Sequence, residues 1–311
     1  MKHKYLVIGG AGFIGSRLVK HLCDTGDDVI VVDDLSFGMR SLVDTRSQFI
    51  QCSMRDLASY RREIRGCSAA FLLAARSIIT TSYTNPLSYI DTNITDFSVS
   101  LLEIIRAEIP QVVFSSSASV YGYTDTDLIT EATPKQPMTV YGATKSAGEE
   151  LLAGFHGAYG LNSVALRYFN AYGPNDLQEP VTRAVPAWIR AGLLRQPIEL
   201  FWGGEQVRDY VFVDDIARAH IACLNTIGHV RYNIGTGNGV RMADLVGCVE
   251  RALGTTLNII HAGERQGDPM RLVASNDLVR KRTGWTPQVS LEHGMAQTVD
   301  FYRKAIQSHL I

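Results

Sequence analysis

The chain has no pair of cysteines spaced two residues apart, no long run of lysine and arginine, and no apolar stretch of membrane length. Each absence removes a class of protein. The five cysteines, Cys23, Cys52, Cys67, Cys223 and Cys248, are scattered. That scatter fits neither a disulfide framework nor a zinc site, and it reads as reduced, mostly buried thiols. The histidines also lack metal-ligand spacing, so no metal is expected. His156 and His220 fall on expected helices and read as packing or surface residues. Thirty Lys+Arg balance 31 Asp+Glu, giving a formal net charge of −1. No global basic field therefore recruits nucleic acid. The apolar run Tyr5–Ile8 is too short for a signal peptide or a membrane span, and no later run is long enough. The expectation is a cytoplasmic chain with neither nucleic acid nor membrane as partner. Internal repeats and low-complexity linkers are also missing.

What is present is a chain of 311 residues, 46% hydrophobic and 20% charged. That length supports a substantial core in one large or two intimately joined domains. Short apolar runs at Tyr5–Ile8, Val29–Val32, Phe49–Cys52, Ala69–Leu73, Val112–Phe114 and Ser163–Leu166 read as strands. Amphipathic stretches such as Ile14–Leu22 and Tyr89–Ala107 lie between them. Alternation of helices with nearly continuous apolar strands predicts a parallel sheet covered on both faces. After Gly173-Pro174 the regularity loosens, and turns at Gly203-Gly204 and Gly235–Gly239 punctuate smaller elements.

At the first strand–helix junction, "VIGGAGFIGSRLV" carries Gly9, Gly12 and Gly15, with Phe13 and Ile14 opening the helix. Glycines permit the tight turn and bring backbone N–H groups close to a pyrophosphate, and the helix N-terminus adds aligned donors. A second strand ends at Asp33, 18 residues after Gly15, where a carboxylate can accept both ribose hydroxyls of an adenosine. Asp33 and Asp34 together disfavour a 2′-phosphate, which points to NAD over NADP. Arg40 could offset them but reads as a surface residue. The pattern defines an α/β, Rossmann-type doubly wound parallel sheet. Residues 1–170 are expected to form the NAD-binding domain. Residues 171–311 are expected to form a smaller α/β nucleotide-binding lobe, partly interleaved with the first.

Further on, "VYGATKSAGEE" places Tyr141 and Lys145 four apart on one helix face. An ammonium there can lower a phenol pKa from about 10 toward working pH and produce a general base. "SSSASVYG", from Ser115 to Gly122, lies where a strand ends.

With "GGAGFIG", "VVDDLS", "SSSASVYG", "YGATK", "RYFNAYGP", "RDYVFVDD", "YNIGTG" and "ERQGDP" in order, nearly the whole chain resembles the extended short-chain dehydrogenase/reductases. Within them it resembles the NAD-dependent nucleotide-sugar 4-epimerases. The resemblance implies that Ser117, Tyr141 and Lys145 are catalytic, with Ser117 sharing the sugar 4-OH with the tyrosine. It implies cofactor contacts from Ser36, Gly38, Ser53, Met54, Leu73, Ala74, Ala75, Asn93, Ser115 and Tyr168, besides the loop glycines and aspartates. The related dehydratases and decarboxylases carry an acid where this chain has Ser117-Ala118, and alanine transfers no proton. Oxidation and re-reduction at one carbon is therefore favoured over elimination. Ser117, Tyr141, Asn170, Arg208, Arg265 and Asp268 are implied to bind a UDP-sugar, the arginines and Asn170 on the diphosphate and Asp268 on the ribose. Asp209, Asp214 and Asp215 read as structural.

Several positions depart from the family pattern. Ser53 stands where an aspartate often bonds the adenine amino group. Leu72 replaces a frequent histidine. Arg76, at the substrate mouth, is either a substrate contact or a solvated side chain. Asn170 and Leu177 argue against a uronate substrate, and Leu272 at a gating position leans toward a plain hexose. The expected activity is interconversion of UDP-hexoses of the glucose/galactose type. The alternatives are a UDP-N-acetylhexosamine 4-epimerase, another NAD-dependent nucleotide-sugar dehydratase or reductase, or a non-catalytic NAD-binding protein. Resemblance also implies a homodimer through Asp91–Ala107 and Thr144–Ala158.

Overall fold

The computed structural model describes residues 2–264 and 269–308. Its strands are β1 (Lys4–Ile8), β2 (Asp28–Asp33), β3 (Gln48–Gln51), β4 (Ala69–Leu72), β5 (Gln111–Ser117), β6 (Asn162–Tyr168), β7 (Asn170–Tyr172), β8 (Pro197–Leu200), β9 (Val207–Phe212), β10 (His229–Ile234), β11 (Gly239–Arg241), β12 (Asn258–His261) and β13 (Arg271–Leu272). The helices are α1 (Phe13–Asp24), α2 (Arg61–Ile64), α3 (Ile79–Thr84), α4 (Pro86–Ile90), α5 (Phe97–Arg106), α6 (Val140–Tyr159), α7 (Ala184–Leu193), α8 (Val213–Ala222), α9 (Met242–Leu253), α10 (Asp277–Thr283) and α11 (Leu291–Gln307).

Seven strands form one sheet in the order β10-β6-β5-β4-β1-β2-β3, and every pairing is parallel. Leu6, Val7, Val31, Ala70, Phe71, Val112 and Val113 are fully buried, as apolar strands covered on both faces require. One core layer packs α1 and α8 against the sheet. A second packs α5 and α6 on the other face. The strand expectations fall inside the observed elements to within a residue or two, and the order reverses between β1 and β4, where a ligand cleft opens.

The chain does not stay on one side of residue 170. β10 returns to pair with β6, with Val230 opposite Val164 and Ile234 opposite Tyr168. α8 lies against α1, where Arg17 grips Asp214 through two bonds of 2.7 Å. The remaining strands build smaller sheets, β11-β9-β13 with β7 on β9, and β12 on β8. They enclose a separate core around Trp188, Phe212, Leu245 and Tyr302.

Tyr89–Ala107 is not the single helix that its pattern suggests. A π turn at Asp91–Asp96 separates α4 from α5. No proline or glycine marks it; it is visible only in the backbone.

Candidate active site

A cavity of about 980 Å³ runs across the C-terminal ends of the parallel strands and into the smaller lobe. At one end Gly9 closes β1 with φ +87, and a Cβ there would sit 2.4 Å from the Ala74 nitrogen. A Cβ on Gly15 would meet the Gly9 carbonyl at 2.1 Å. The loops after β1 and β4 thus touch only because Gly9 lacks a side chain, and α1 closes onto the β1 turn only because Gly15 does. α1 begins at Gly12 with no side-chain cap and no acid in its first turn, leaving its N–H groups open to an anion.

Asp33 ends β2. Its Oδ2 accepts from Ala11 N and its Oδ1 from Leu35 N, both at 2.9 Å. Burial raises its carboxyl, and these two N–H donors restrain the rise. Phe13, Ile14, Asp34, Ser36, Gly38, Ser53, Met54, Leu73, Ala74 and Ala75 line the same wall. A glycine cradle, an open helix end and a carboxylate beyond it are what a pyrophosphate joined to an adenosine ribose needs, so these residues fit NAD.

Asn93 differs from the other expected cofactor residues in its surroundings. It is buried behind the wall rather than on it, and its amide is consumed by Arg76 and Thr144. Oδ1 accepts from Arg76 N at 2.8 Å, and Nδ2 donates to Arg76 O and Thr144 Oγ1 at 3.0 Å. Asn93 pins the loop after β4 to α6. Ser53 reaches the wall, but its hydroxyl accepts from Arg55 N at 3.2 Å and caps the turn that follows.

The middle of the cavity is formed by the end of β5 and the start of α6. Thr139 caps α6, accepting from Gly142 N at 2.9 Å. This aims Tyr141 and Lys145 at the strand end. The three serines there have three different surroundings. The Ser115 carbonyl accepts from Lys145 Nζ at 2.6 Å. Ser116 turns inward and donates to Glu149 Oε1 at 2.6 Å. Ser117 lies beside the Tyr141 phenol.

Lys145 is only 3% exposed. Burial pushes its ammonium down to about 7, and its Nζ lies 4.8 Å from the Phe114 ring and 5.9 Å from the Tyr141 ring. Burial raises the phenol, and the groups acting against that rise are the Ser117 hydroxyl and the Arg183 guanidinium. Lys145 spends its donor on a carbonyl and has lost much of its own preference for charge. No sequence motif points to Arg183. It ion-pairs with Asp176, bonds Gln178 at 3.2 Å and lies 5.4 Å from the Phe13 ring.

Tyr168, on β6, also lines the cavity. His220 Nδ1 lies 2.9 Å from the Ile216 carbonyl, which can only accept, so Nδ1 carries the proton. Nε2 then accepts from the Tyr168 hydroxyl at 2.7 Å. Burial lowers His220 to about 4. His220 therefore serves as a neutral acceptor that fixes Tyr168.

Toward the smaller lobe the wall carries Asn170, Leu177, Arg208 and Leu272. Arg208 Nη1 donates to the Val207 carbonyl at 2.9 Å. Arg76 lies over the Phe37 ring at 5.2 Å. The expectations on Arg265 and Asp268 lie outside the described residues. Asp209 accepts from Thr236, Gly237 and Ala274, Asp214 pairs with Arg17, and Asp215 accepts from Gln288 N and Val289 N. All three are structural. Among the described residues no cluster of ligands suits a metal ion, and no helix is long and apolar enough to cross a membrane.

Fold and cleft together define a dinucleotide-binding α/β protein whose cleft continues into a second, ligand-sized chamber. The chain belongs to the NAD dependent epimerase/dehydratase family, which it matches over residues 5–235. It is 34% identical over 304 residues to the UDP-glucose 4-epimerase of Streptomyces lividans, covering 92% of each chain. The UDP-glucose 4-epimerase of Thermotoga maritima, solved with UDP-glucose, superposes with a TM-score of 0.91 at 33% identity, over 97% of this chain and 99% of that one. The UDP-glucose 4-epimerase of Thermus thermophilus, solved with NAD, gives 0.89 at 32% identity, over 97% and 99%.

Proposed function

We propose that the chain is an NAD-dependent UDP-hexose 4-epimerase of the glucose/galactose type. The observation that carries this over the family's eliminating enzymes is the make-up of the cavity wall. Its carboxylates among the described residues are Asp33, Asp34, Asp96 and Glu199. They come from β2, the π turn and β8, and none comes from the β5–α6 side. Beside Ser117 and Tyr141, then, no carboxylate among the described residues is placed to move a proton at a second carbon.

NAD supplies a hydride acceptor that returns the hydride to the sugar C4. Tyr141 takes the 4-OH proton as the carbonyl forms and gives it back on reduction. Ser117 orients that oxygen. Lys145, one helical turn after Tyr141, would bond the nicotinamide ribose in place of the Ser115 carbonyl, and its charge would favour the phenolate, a task that Arg183 shares. Asn170, Arg208 and Arg265 anchor the nucleotide diphosphate and Asp268 the nucleotide ribose, so that the keto sugar turns over while its tail stays fixed.

Residues 1–170 are taken as the cofactor unit and 171–311 as the sugar-nucleotide lobe, partly interleaved with the first through α8 and β10. A cytoplasmic homodimer is the accompanying proposal. Exposed Leu87, Ile90 and Leu102 along the α4–α5 run supply apolar surface for it, and sedimentation velocity tests it.

The test is incubation with UDP-glucose, UDP-galactose and their N-acetylated counterparts, followed by proton NMR of the anomeric signals. Interconversion of the UDP-glucose pair is expected, with the N-acetylated pair slower, in keeping with a leucine, Leu272, at the gating position on the cavity wall. A 4-keto-6-deoxy product, or silence with every sugar despite bound NAD, overturns the reading.

A further inference from the structure

Asp96 closes the π turn between α4 and α5. A π turn takes up one extra residue, which rotates the following positions by about 100° relative to an unbroken helix. Asp96 thereby stands on the cavity wall, beside Thr92, Cys52, Ser53 and Met54. Its side chain is 15% exposed. Oδ1 is buried and has no hydrogen-bond partner. Arg55 Nε lies 3.2 Å from it as an ion pair, but off the line of a hydrogen bond. A buried carboxylate oxygen with no donor is costly unless something arrives to use it.

The position indicates what arrives. Asp33, at the end of β2, marks the adenosine ribose. The neighbouring strand is β3, and the residues that follow it, Cys52 to Met54, line the next part of the wall. The base lies beyond the ribose, against those residues. Adenine carries one exocyclic donor, its 6-amino group. The Ser53 hydroxyl already accepts from Arg55 N, and a thiol is a weak acceptor. Next to Cys52–Met54 the strong acceptor is the Asp96 carboxylate, 15% exposed on the wall and met there only by the off-line Arg55.

We propose that Asp96 accepts a hydrogen bond from the 6-amino group of the cofactor's adenine and selects against dinucleotides with a 6-oxo base. This rests on the dinucleotide reading of the cleft and not on the epimerase reaction, so the two fail separately. A hypoxanthine base presents a carbonyl where the amino group was, and two acceptors then face one another across the contact.

The experiment equilibrates the purified protein with equal concentrations of NAD and nicotinamide hypoxanthine dinucleotide. Free nucleotide is removed, and the bound species are quantified by liquid chromatography. Wild type is expected to retain the adenine form by at least about tenfold, the scale of one charge-assisted hydrogen bond. Asp96→Ala brings the ratio to within about twofold of unity. Asp96→Asn keeps the shape and one acceptor oxygen, and holds most of the preference. A wild type without preference overturns the proposal. So does an Asp96→Ala protein with the wild-type ratio, or one that loses both dinucleotides equally.

Discussion

Glu149→Gln is the perturbation whose cost is best worked from the structure. Glu149 is fully buried and Arg167 is 2% exposed. Arg167 Nε and Nη2 reach the two Glu149 oxygens at 2.8 and 2.6 Å. Ser116 donates to the same carboxylate, Lys135 lies 3.4 Å away and Arg231 lies 3.2 Å away. Arg167 also donates to Tyr121 Oη at 2.7 Å, which in turn donates to Asn233 Oδ1 at 2.6 Å. The glutamine keeps the shape but leaves a buried guanidinium without its counter-ion. Breaking one side of a buried pair costs roughly 3–5 kcal/mol, and the two further cations put this case near the upper end. The expected fall in melting temperature is about 5–10 °C.

The pH dependence has a definite sign. Burial alone would raise the Glu149 carboxyl, but the hydrogen bonds and charge of Arg167 outweigh it and hold the group below the usual range. A depressed carboxyl contributes stability above its unfolded pKa of about 4.3, and that contribution is lost as pH falls through the folded value. The Glu149→Gln penalty is therefore full at pH 7 and shrinks in acid. Thermal unfolding across pH, with an Arg167→Met partner and the Glu149→Gln, Arg167→Met double variant, measures both effects. The double variant should cost less than the sum of its singles. Additive singles, or a Glu149→Gln protein within about 1 kcal/mol of wild type at pH 7, would refute the reasoning.

Tyr141→Phe should lower kcat by about 10²–10⁴-fold while bound NAD is retained, which an NMR turnover assay and the absorbance of released nucleotide check together. Gly15→Ala forces a Cβ into the Gly9 carbonyl, so bound NAD should be lost and stability should fall by about 1–3 kcal/mol; unchanged nucleotide content would contradict the cradle. Lys145→Met should stabilise the cofactor-free chain. The buried lysine's pKa is lowered to about 7, so its folded-state penalty is full in acid and fades as pH rises from there toward its unfolded value of about 10.4. The gain in melting temperature should thus be larger at pH 6 than at pH 9, and a gain independent of pH would contradict a depressed ammonium.

The parallel sheet was legible because buried strands are apolar throughout and their connections are helical. The glycine loop was legible because only glycine permits the approach of Gly9 to Ala74. Less could be read where side-chain direction depends on distant packing. Asn93 sits among cofactor residues in the linear order, yet the π turn spends its amide on Arg76 and Thr144. Tyr141 and Lys145 are one turn apart, but spacing alone does not reveal that burial opposes both of their charged forms. Arg183 comes from an irregular loop, so no periodicity announces it. His220 lies on a helix whose buried face is set by α1 and the sheet, and only that packing turns it toward Tyr168.

The return of residues 213–234 to the first sheet has a consequence for how such enzymes can be recombined. α8 is locked to α1 through Asp214 and Arg17, and β10 completes the sheet edge on β6, while β9, which carries Arg208, leads straight into α8. Specificity therefore cannot be transplanted with a single crossover near residue 170. That graft would seat a foreign helix and strand on the native cofactor half. A workable chimera needs junctions on both sides of 213–234, so that this stretch travels with α1 and β6 and the lobe is exchanged as two separate inserts.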